Sequence, residues 1–440
     1  MTGKGMNRRK FLAKSGAGAV GLATALASVG KAVPEAGKKI RVGFIGVGHR
    51  GSYLLKVGLG VPGTVVPAVC DINKERLEAS LKEVEDKTGI RPEGYGRGVE
   101  DFKRMLERDD LDATVIATPW EWHTPMAVAS MKAGKYASVE VPAAITMEEC
   151  WELVRTSEST GVPCMMLENT NYFSNVLMVL MMARKGLFGE LIHCEAGYQH
   201  DIRRGTFDRD GKLRWRAEHS VKRNGNLYPT HPIGPIAWWL DINRGDRFKR
   251  IVSMSSKAAS LNELAEERFG PDHPNSKIDW ALGDINTSLI KTEKGRTVTL
   301  YHDVNLPRPY DLIYRVQGTK GIYQATVNKV YIEGRSPEEH AWEDIAKYEK
   351  EFEHPFITEG GKEAQNYYHS GADYFTLREF LKAVGNGTQT PQDVYDAATW
   401  SAIIPLSIES VGKDSEPMDF PDFTSGKWKT NKPIDTYTLS

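Results

Sequence analysis

The chain has 440 residues, 40% of them apolar and 26% charged, with 57 Lys+Arg against 58 Asp+Glu. That length exceeds what one hydrophobic core usually organises and points to two domains. The near-cancelled charge leaves no footprint for nucleic acid or an anionic membrane, so a small molecule is the expected partner. The four cysteines, Cys70, Cys150, Cys164 and Cys194, show no CxxC spacing. They read as buried thiols rather than disulfides. No HExxH or clustered Cys/His pattern suggests a metal.

The chain opens with Arg8-Arg9-Lys10-Phe11-Leu12, then weakly apolar Ala/Gly-rich sequence to Gly30 and Lys31-Ala32-Val33-Pro34. Residues 1–32 resemble a twin-arginine export signal, which implies an exported, periplasmic protein. Gly16, Gly18 and Gly21 make the stretch a poor permanent membrane span, and no span is expected after signal removal. A basic unstructured tail is the alternative.

An apolar run at 39–45 breaks into Gly46-Val47-Gly48-His49-Arg50-Gly51, and 52–58 reads as helix. GxGxxG between strand and helix permits a tight turn and close approach of a pyrophosphate to the helix N-terminus. A second apolar run at 64–70 ends in Asp71, twenty residues beyond Gly51. An acid there accepts from the ribose hydroxyls and repels a 2′-phosphate, favouring NAD over NADP. The alternative is an Asp that merely starts the turn before the helix at 74–87. Pro67 inside the run is awkward for a central strand unless it marks a bulge.

Helices at 99–108, 124–133 and 147–160 alternate with strands at 113–118, 136–139 and 163–167. The alternation predicts a doubly wound parallel sheet over 39–170, with ligands at the carboxyl ends of its strands. Three strand-end loops would converge there: Pro119-Trp120-Glu121-Trp122-His123, Glu140-Val141 and Glu168-Asn169.

After residue 171 the pattern changes to a helix at 176–185 and β-branched runs at 191–200, 250–255, 284–292, 297–304 and 312–317. These predict an α+β domain to 417 with an open, mostly antiparallel sheet, one face of which covers the cofactor. The Arg/Lys-rich stretch 201–226 reads as a solvated loop, either a charge network or a wall of a sugar pocket. Helices are expected at 367–384 and 393–411, and an irregular tail at 418–440. His231, between two prolines and near where the domains must meet, is a candidate proton carrier; Tyr172, three residues past Asn169, is another, with packing as its alternative role.

These segments resemble the glucose–fructose oxidoreductase / inositol dehydrogenase group. Its dehydrogenases carry Glu-Lys-Pro after the fifth strand, the lysine assisting proton transfer. Here the residues are Glu140-Val141-Pro142, and valine carries no proton. One branch of the group shares that departure: the NAD-dependent α-N-acetylgalactosaminidases, glycoside hydrolase family 109. Thr118 to His123, Glu140-Val141-Pro142, Glu168-Asn169 with Tyr172, and above all Asn226-Leu227-Tyr228-Pro229-Thr230-His231-Pro232-Ile233-Gly234-Pro235 look like that branch. The resemblance implies bound NAD as cofactor and terminal α-linked N-acetylgalactosamine of a glycan as substrate. Beside the motif glycines Gly46, Gly48 and Gly51, the resemblance assigns cofactor contacts to His49, Arg50, Asp71, Trp120, Glu121, Trp122, His123, Glu140, Val141 and Asn169, and Tyr228 is expected to touch the cofactor as well. The same resemblance assigns sugar contacts to Tyr198, Arg216, Tyr228, Pro229, Thr230, His231 and Tyr310, with Arg214 a near rival of Arg216.

The implied cycle is oxidation at C3 of the sugar, elimination across C1 and C2, addition of water and return of the hydride, so NAD is regenerated. His231 and Tyr172 would carry the protons, and either fits the C2 base. An NAD-dependent sugar oxidoreductase and a non-catalytic NAD-retaining sugar-binding protein are the alternatives. Self-association into a homo-oligomer stays open.

Overall fold

The computed structural model describes residues 39–434, so the export signal read at 1–32 lies outside the described residues. Six parallel strands form the first sheet: β1 (Ile40–Ile45), β2 (Thr64–Cys70), β3 (Glu93–Tyr95), β4 (Ala113–Ile116), β5 (Tyr136–Val139) and β6 (Cys164–Met166), in the order β3-β2-β1-β4-β5-β6. The order reverses between β1 and β4, which leaves a crevice outside their carboxyl ends. Pro67 does sit at a bulge. Pairing jumps from Arg41 opposite Val65 to Gly43 opposite Ala68, so β2 carries one extra residue there. The helix after β1 spans His49–Gly58, starting three residues earlier than expected.

The second sheet has nine strands: β7 (Leu191–Gln199), β8 (Phe248–Ser255), β9 (Ile285–Thr292), β10 (Thr297–Asp303), β11 (Arg315–Gly318), β12 (Gly321–Gln324), β13 (Lys329–Ile332), β14 (Glu343–Asp344) and β15 (Met418–Asp419). Their order is β14-β13-β12-β11-β7-β10-β9-β8-β15. Every neighbouring pair is antiparallel except β10 beside β7.

Three expectations need correction. The stretch 201–226 is not all loop, because Trp215–Lys222 is a helix. The expected helix at 393–411 is two, Val394–Ser401 and Ile403–Gly412; Pro405 falls in the first turn of the second, where a missing N–H costs nothing. The region from 418 begins with an edge strand on β8, and its Phe420 and Phe423 are buried. All four cysteines are buried and unpaired. Among the described residues no helix is long and apolar enough to cross a membrane, and no group of His, Cys, Asp and Glu is placed to hold a metal ion.

Candidate active site

A cleft of about 1610 Å³ runs from the carboxyl ends of β1, β2, β4 and β5 to the second sheet. It exceeds the roughly 300–1,000 Å³ of a typical small-ligand pocket and so suits a dinucleotide plus a sugar. Its lining includes Gly46, Gly48, His49, Arg50, Asp71, Trp120, Trp122, His123, Glu140, Val141 and Asn169 from the first domain. From the second come Tyr198, Arg214, Arg216, Tyr228, His231 and Tyr310.

The glycine turn is built as the motif requires. Gly46 has φ +81, and a Cβ there would meet the Ala117 carbonyl oxygen at 2.8 Å. A Cβ on Gly51 would lie 1.8 Å from the Gly46 carbonyl oxygen, so Gly51 lets the helix close on the turn rather than lining the cleft. Before Gly48 the space is open, with only the Arg76 guanidinium at 3.4 Å. Asp71 holds the turn as well as facing the cleft, since its carboxylate accepts from the Val47 N–H at 2.7 Å and the Asn73 N–H at 2.8 Å.

Arg50 is pinned between two carboxylates. Its Nε donates to Glu140 at 2.6 Å and its Nη2 to Asp373 at 2.5 Å. Asp373 also accepts from Asn169 Nδ2 at 3.0 Å and sits 2.7 Å from His369 Nδ1. Burial alone would raise the Asp373 pKa; the Arg50 charge and the His369 hydrogen bond outweigh it and hold the group below its ordinary value. Asp373 opens the helix Ala372–Asn386, more than 200 residues from Asn169, and no local motif marks it. Asn169 keeps a buried Oδ1 without a protein partner. An open glycine turn, a ribose-side acid and an unsatisfied amide oxygen in one cleft fit a dinucleotide.

The sugar end is aromatic. Trp120 stacks on Tyr228 with centroids 5.7 Å apart, and Tyr198 lies 4.6 Å from Tyr228. Arg216 stands over Trp120 at 5.1 Å and Tyr228 at 4.9 Å, which fixes a cation in the wall. Burial raises the Tyr198, Tyr228 and Tyr310 phenols, so they are neutral hydrogen-bond donors at neutral pH. Tyr198 Oη is 3.1 Å from Nδ1 of His200, a partner the sequence did not mark.

His231 is held from three sides. Its Nδ1 is 2.6 Å from Oε1 of Glu168, a fully buried carboxylate that also accepts from the Thr170 N–H and hydroxyl. The helix Thr230–Trp239 reaches Glu168 because of Gly234, where a Cβ would lie 2.4 Å from Asn171 Oδ1 and 2.8 Å from Glu168 Cγ. Pro235 lacks the N–H that would bond the His231 carbonyl four residues back. That carbonyl instead accepts from the Tyr314 hydroxyl at 2.6 Å and the Thr170 hydroxyl at 3.0 Å.

Several expected site residues stand elsewhere. Tyr172 is a correction: it is 1% exposed, packs on Trp238 and Phe356, and does not line the cleft. The short 3-10 turn Asn169–Tyr172 aims it into the core. Pro229 and Thr230 are buried at the start of their helix, behind His231, and likewise do not line the cleft. Glu121 points away, with its carboxylate 3.6 Å from His219. His123, by contrast, does line the cleft but is buried, its two ring nitrogens each 2.7 Å from a carbonyl oxygen, of Pro142 and Thr118, so it ties two strand-end loops together.

Comparison with known proteins matches this geometry. The family description "Glycosyl hydrolase 109, C-terminal domain" fits residues 172–430, and "Oxidoreductase family, NAD-binding Rossmann fold" fits residues 40–168. The chain belongs to glycosyl hydrolase family 109. It is 43% identical over 449 residues to a glycosyl hydrolase family 109 protein of Shewanella pealeana, covering 98% of each chain. It is also 43% identical to an alpha-N-acetylgalactosaminidase of Tannerella forsythia, covering 97% of this chain and 98% of that one. Among solved structures, levoglucosan dehydrogenase in complex with NADH has a TM-score of 0.68 at 19% identity, covering 88% of this chain and all of that one. The apo scyllo-inositol dehydrogenase of Lactobacillus casei has a TM-score of 0.61 at 15% identity, covering 87% of this chain and 98% of that one. These two share the fold. The protein is thus a family 109 glycoside hydrolase with an NAD-binding Rossmann domain.

Proposed function

We propose that this family 109 enzyme releases terminal α-linked N-acetylgalactosamine from glycans and keeps its NAD through each turnover. The name of the Tannerella forsythia relative supports the sugar. The observation that carries the reading is His231 braced by Glu168 at the sugar end of the cleft, with Val141 in place of a proton-carrying side chain at the cofactor end. Bound NAD+ supplies reversible hydride removal at a ring carbon, which acidifies the adjacent C–H.

The chain's own groups do the rest. With Nδ1 engaged by Glu168, His231 has Nε2 left for a sugar hydroxyl or C–H proton. Tyr198 and Tyr228 donate as neutral phenols, and Trp120 offers its face to the apolar side of the ring. Arg216 supplies a fixed cationic donor. Tyr172 takes no part, and its proton-transfer role falls to cleft residues, of which Tyr198, backed by His200, is the one with a hydrogen-bonded acceptor behind it.

Incubation of purified protein with a chromogenic α-N-acetylgalactosaminide is the test, following released phenol and NADH absorbance together. Phenol without accumulating NADH is expected. NADH accumulation without cleavage would instead establish a sugar oxidoreductase. The Arg8-Arg9 segment supports export to the periplasm, which fractionation of the producing cells checks by where the mature chain is found.

A further inference from the structure

The cofactor half of the cleft has a wall that the nucleotide-binding motif does not supply. Tyr368 and His369 line it beside His49, Arg50 and Tyr53. Both lie some 200 residues beyond the Rossmann match, which ends at residue 168.

Their segment docks on the helix His49–Gly58 that starts at the glycine turn. Tyr367 reaches Gly60, just past the end of that helix, where a Cβ would lie 1.7 Å from the Tyr367 hydroxyl. The Tyr368 ring sits 5.5 Å from that of Tyr53. His369 Nδ1 bonds to the Asp373 carboxylate, whose other oxygen holds Arg50 and Asn169. One buried carboxylate therefore sets the position of three cleft residues, from the glycine turn, from the turn that follows the last strand of the first sheet and from this segment. The chain bends sharply to do so, since His369, Ser370 and Gly371 all have positive φ, at 55, 52 and 80. Two non-glycine residues in that region are costly and persist where surrounding contacts fix them.

Despite these anchors Tyr368 is 76% exposed, and the His369 side chain is 52% exposed. An aromatic ring at a cleft mouth, with most of its surface in water, is apolar area available for burial by a ligand. With Nδ1 occupied, His369 presents Nε2. Arg50 has its Nε and one terminal nitrogen committed to Glu140 and Asp373, so it supplies only part of the contact that a pyrophosphate and its riboses require.

We infer that Tyr368 and His369 are a further cofactor-binding subsite, in which the Tyr368 ring covers the central ribose–pyrophosphate stretch of NAD and His369 Nε2 bonds to it. The inference rests on the cleft being the NAD site. The subsite closes the open side of the glycine turn, so its main effect is on how slowly NAD leaves.

NAD release is measured by loading wild-type, Tyr368→Ala and His369→Ala proteins, diluting into a trap of excess coenzyme analogue and following loss of bound NAD. Each variant is expected to release NAD about 10-fold faster than wild type, equivalent to about 1.4 kcal/mol. Tyr368→Phe should keep the wild-type rate. In wild-type protein, NAD should slow hydrogen exchange of the amides at 367–371. Wild-type release rates in both alanine variants, or exchange at 367–371 unmoved by NAD, would overturn the subsite. Failure of wild type to bind NAD at all would overturn the reading of the cleft itself.

Discussion

A carboxylate with no solvent exposure, 2.6 Å from an imidazole, fixes which ring nitrogen is left for chemistry. Glu168 touches no ligand-facing surface, so it acts through His231 as a positioning residue. His231→Ala is expected to lower kcat by roughly 10²–10⁴-fold, the usual worth of a positioned acid–base group. Glu168→Gln keeps the shape but not the charge; kcat should fall and its pH profile move, with KM little changed. Tyr172→Phe should leave turnover near wild type, because its hydroxyl is buried without a partner. Its removal should be neutral or stabilising by up to about 1 kcal/mol in chemical denaturation. A hundredfold loss of kcat in Tyr172→Phe would return that residue to the reaction. The sequence named both residues on position alone, Tyr172 because it follows the last cofactor strand by a few residues and His231 because it lies between two prolines near the domain boundary. What separates them is side-chain direction: the turn Asn169–Tyr172 rotates Tyr172 onto Trp238, whereas Gly234 brings His231 down onto Glu168.

Elements were legible in sequence where periodicity and breakers agreed. Strands β1, β2, β4, β5 and β6, and the helices between them, follow the expected alternation closely, since the helices cover both faces of a parallel sheet and leave its strands mostly buried, apolar runs. The helix Thr230–Trp239 was hidden because Pro232 and Pro235 read as breakers. Pro232 falls in the first turn, and the carbonyl freed by Pro235 is satisfied by Tyr314 and Thr170, so neither stops the helix. In β10 the alternation places Val298, Leu300 and His302 inward, and the third of these is ionisable. Burial, then the Arg216 charge, pushes His302 down to about 3. An unfolded histidine titrates near 6.5, so between about pH 6.5 and 3 the unfolded chain takes up a proton that the folded chain refuses. Stability from this group is full above 6.5 and lost as pH falls, by about 2 kcal/mol at pH 5. Urea denaturation at pH 7 and pH 5 should show a smaller acid loss in His302→Gln than in wild type; equal losses would refute the assignment.

At the scale of the whole molecule, the cleft works only if two sheets from different parts of the chain keep a fixed separation, and the C-terminal region supplies much of that constraint. After β15 pairs with β8, Phe420 packs on Phe248 at 5.3 Å and Phe423 on Trp151 at 4.7 Å. Lys427 then bonds to Glu158 and Tyr395, each within 2.8 Å, and Asn431 to the Asn243 carbonyl at 3.1 Å. Trp151 and Glu158 belong to the helix Met147–Thr160 of the Rossmann domain, whereas β8 and Asn243 belong to the second domain. The segment clasps both. Composition alone suggested an irregular tail because its few apolar residues are spaced by polar ones; their partners are distant in sequence, which no local pattern records. Burying two phenylalanines contributes about 3–6 kcal/mol. A chain ending at Pro417 should therefore unfold at markedly lower denaturant, and its NAD-induced rise in melting temperature should shrink as the second domain loses its hold beside the cleft. If the shortened chain keeps the wild-type midpoint and the full NAD-induced rise, the clasp is dispensable, and other contacts, among them those of Asp373, His231 and Gln392, set the separation of the two sheets.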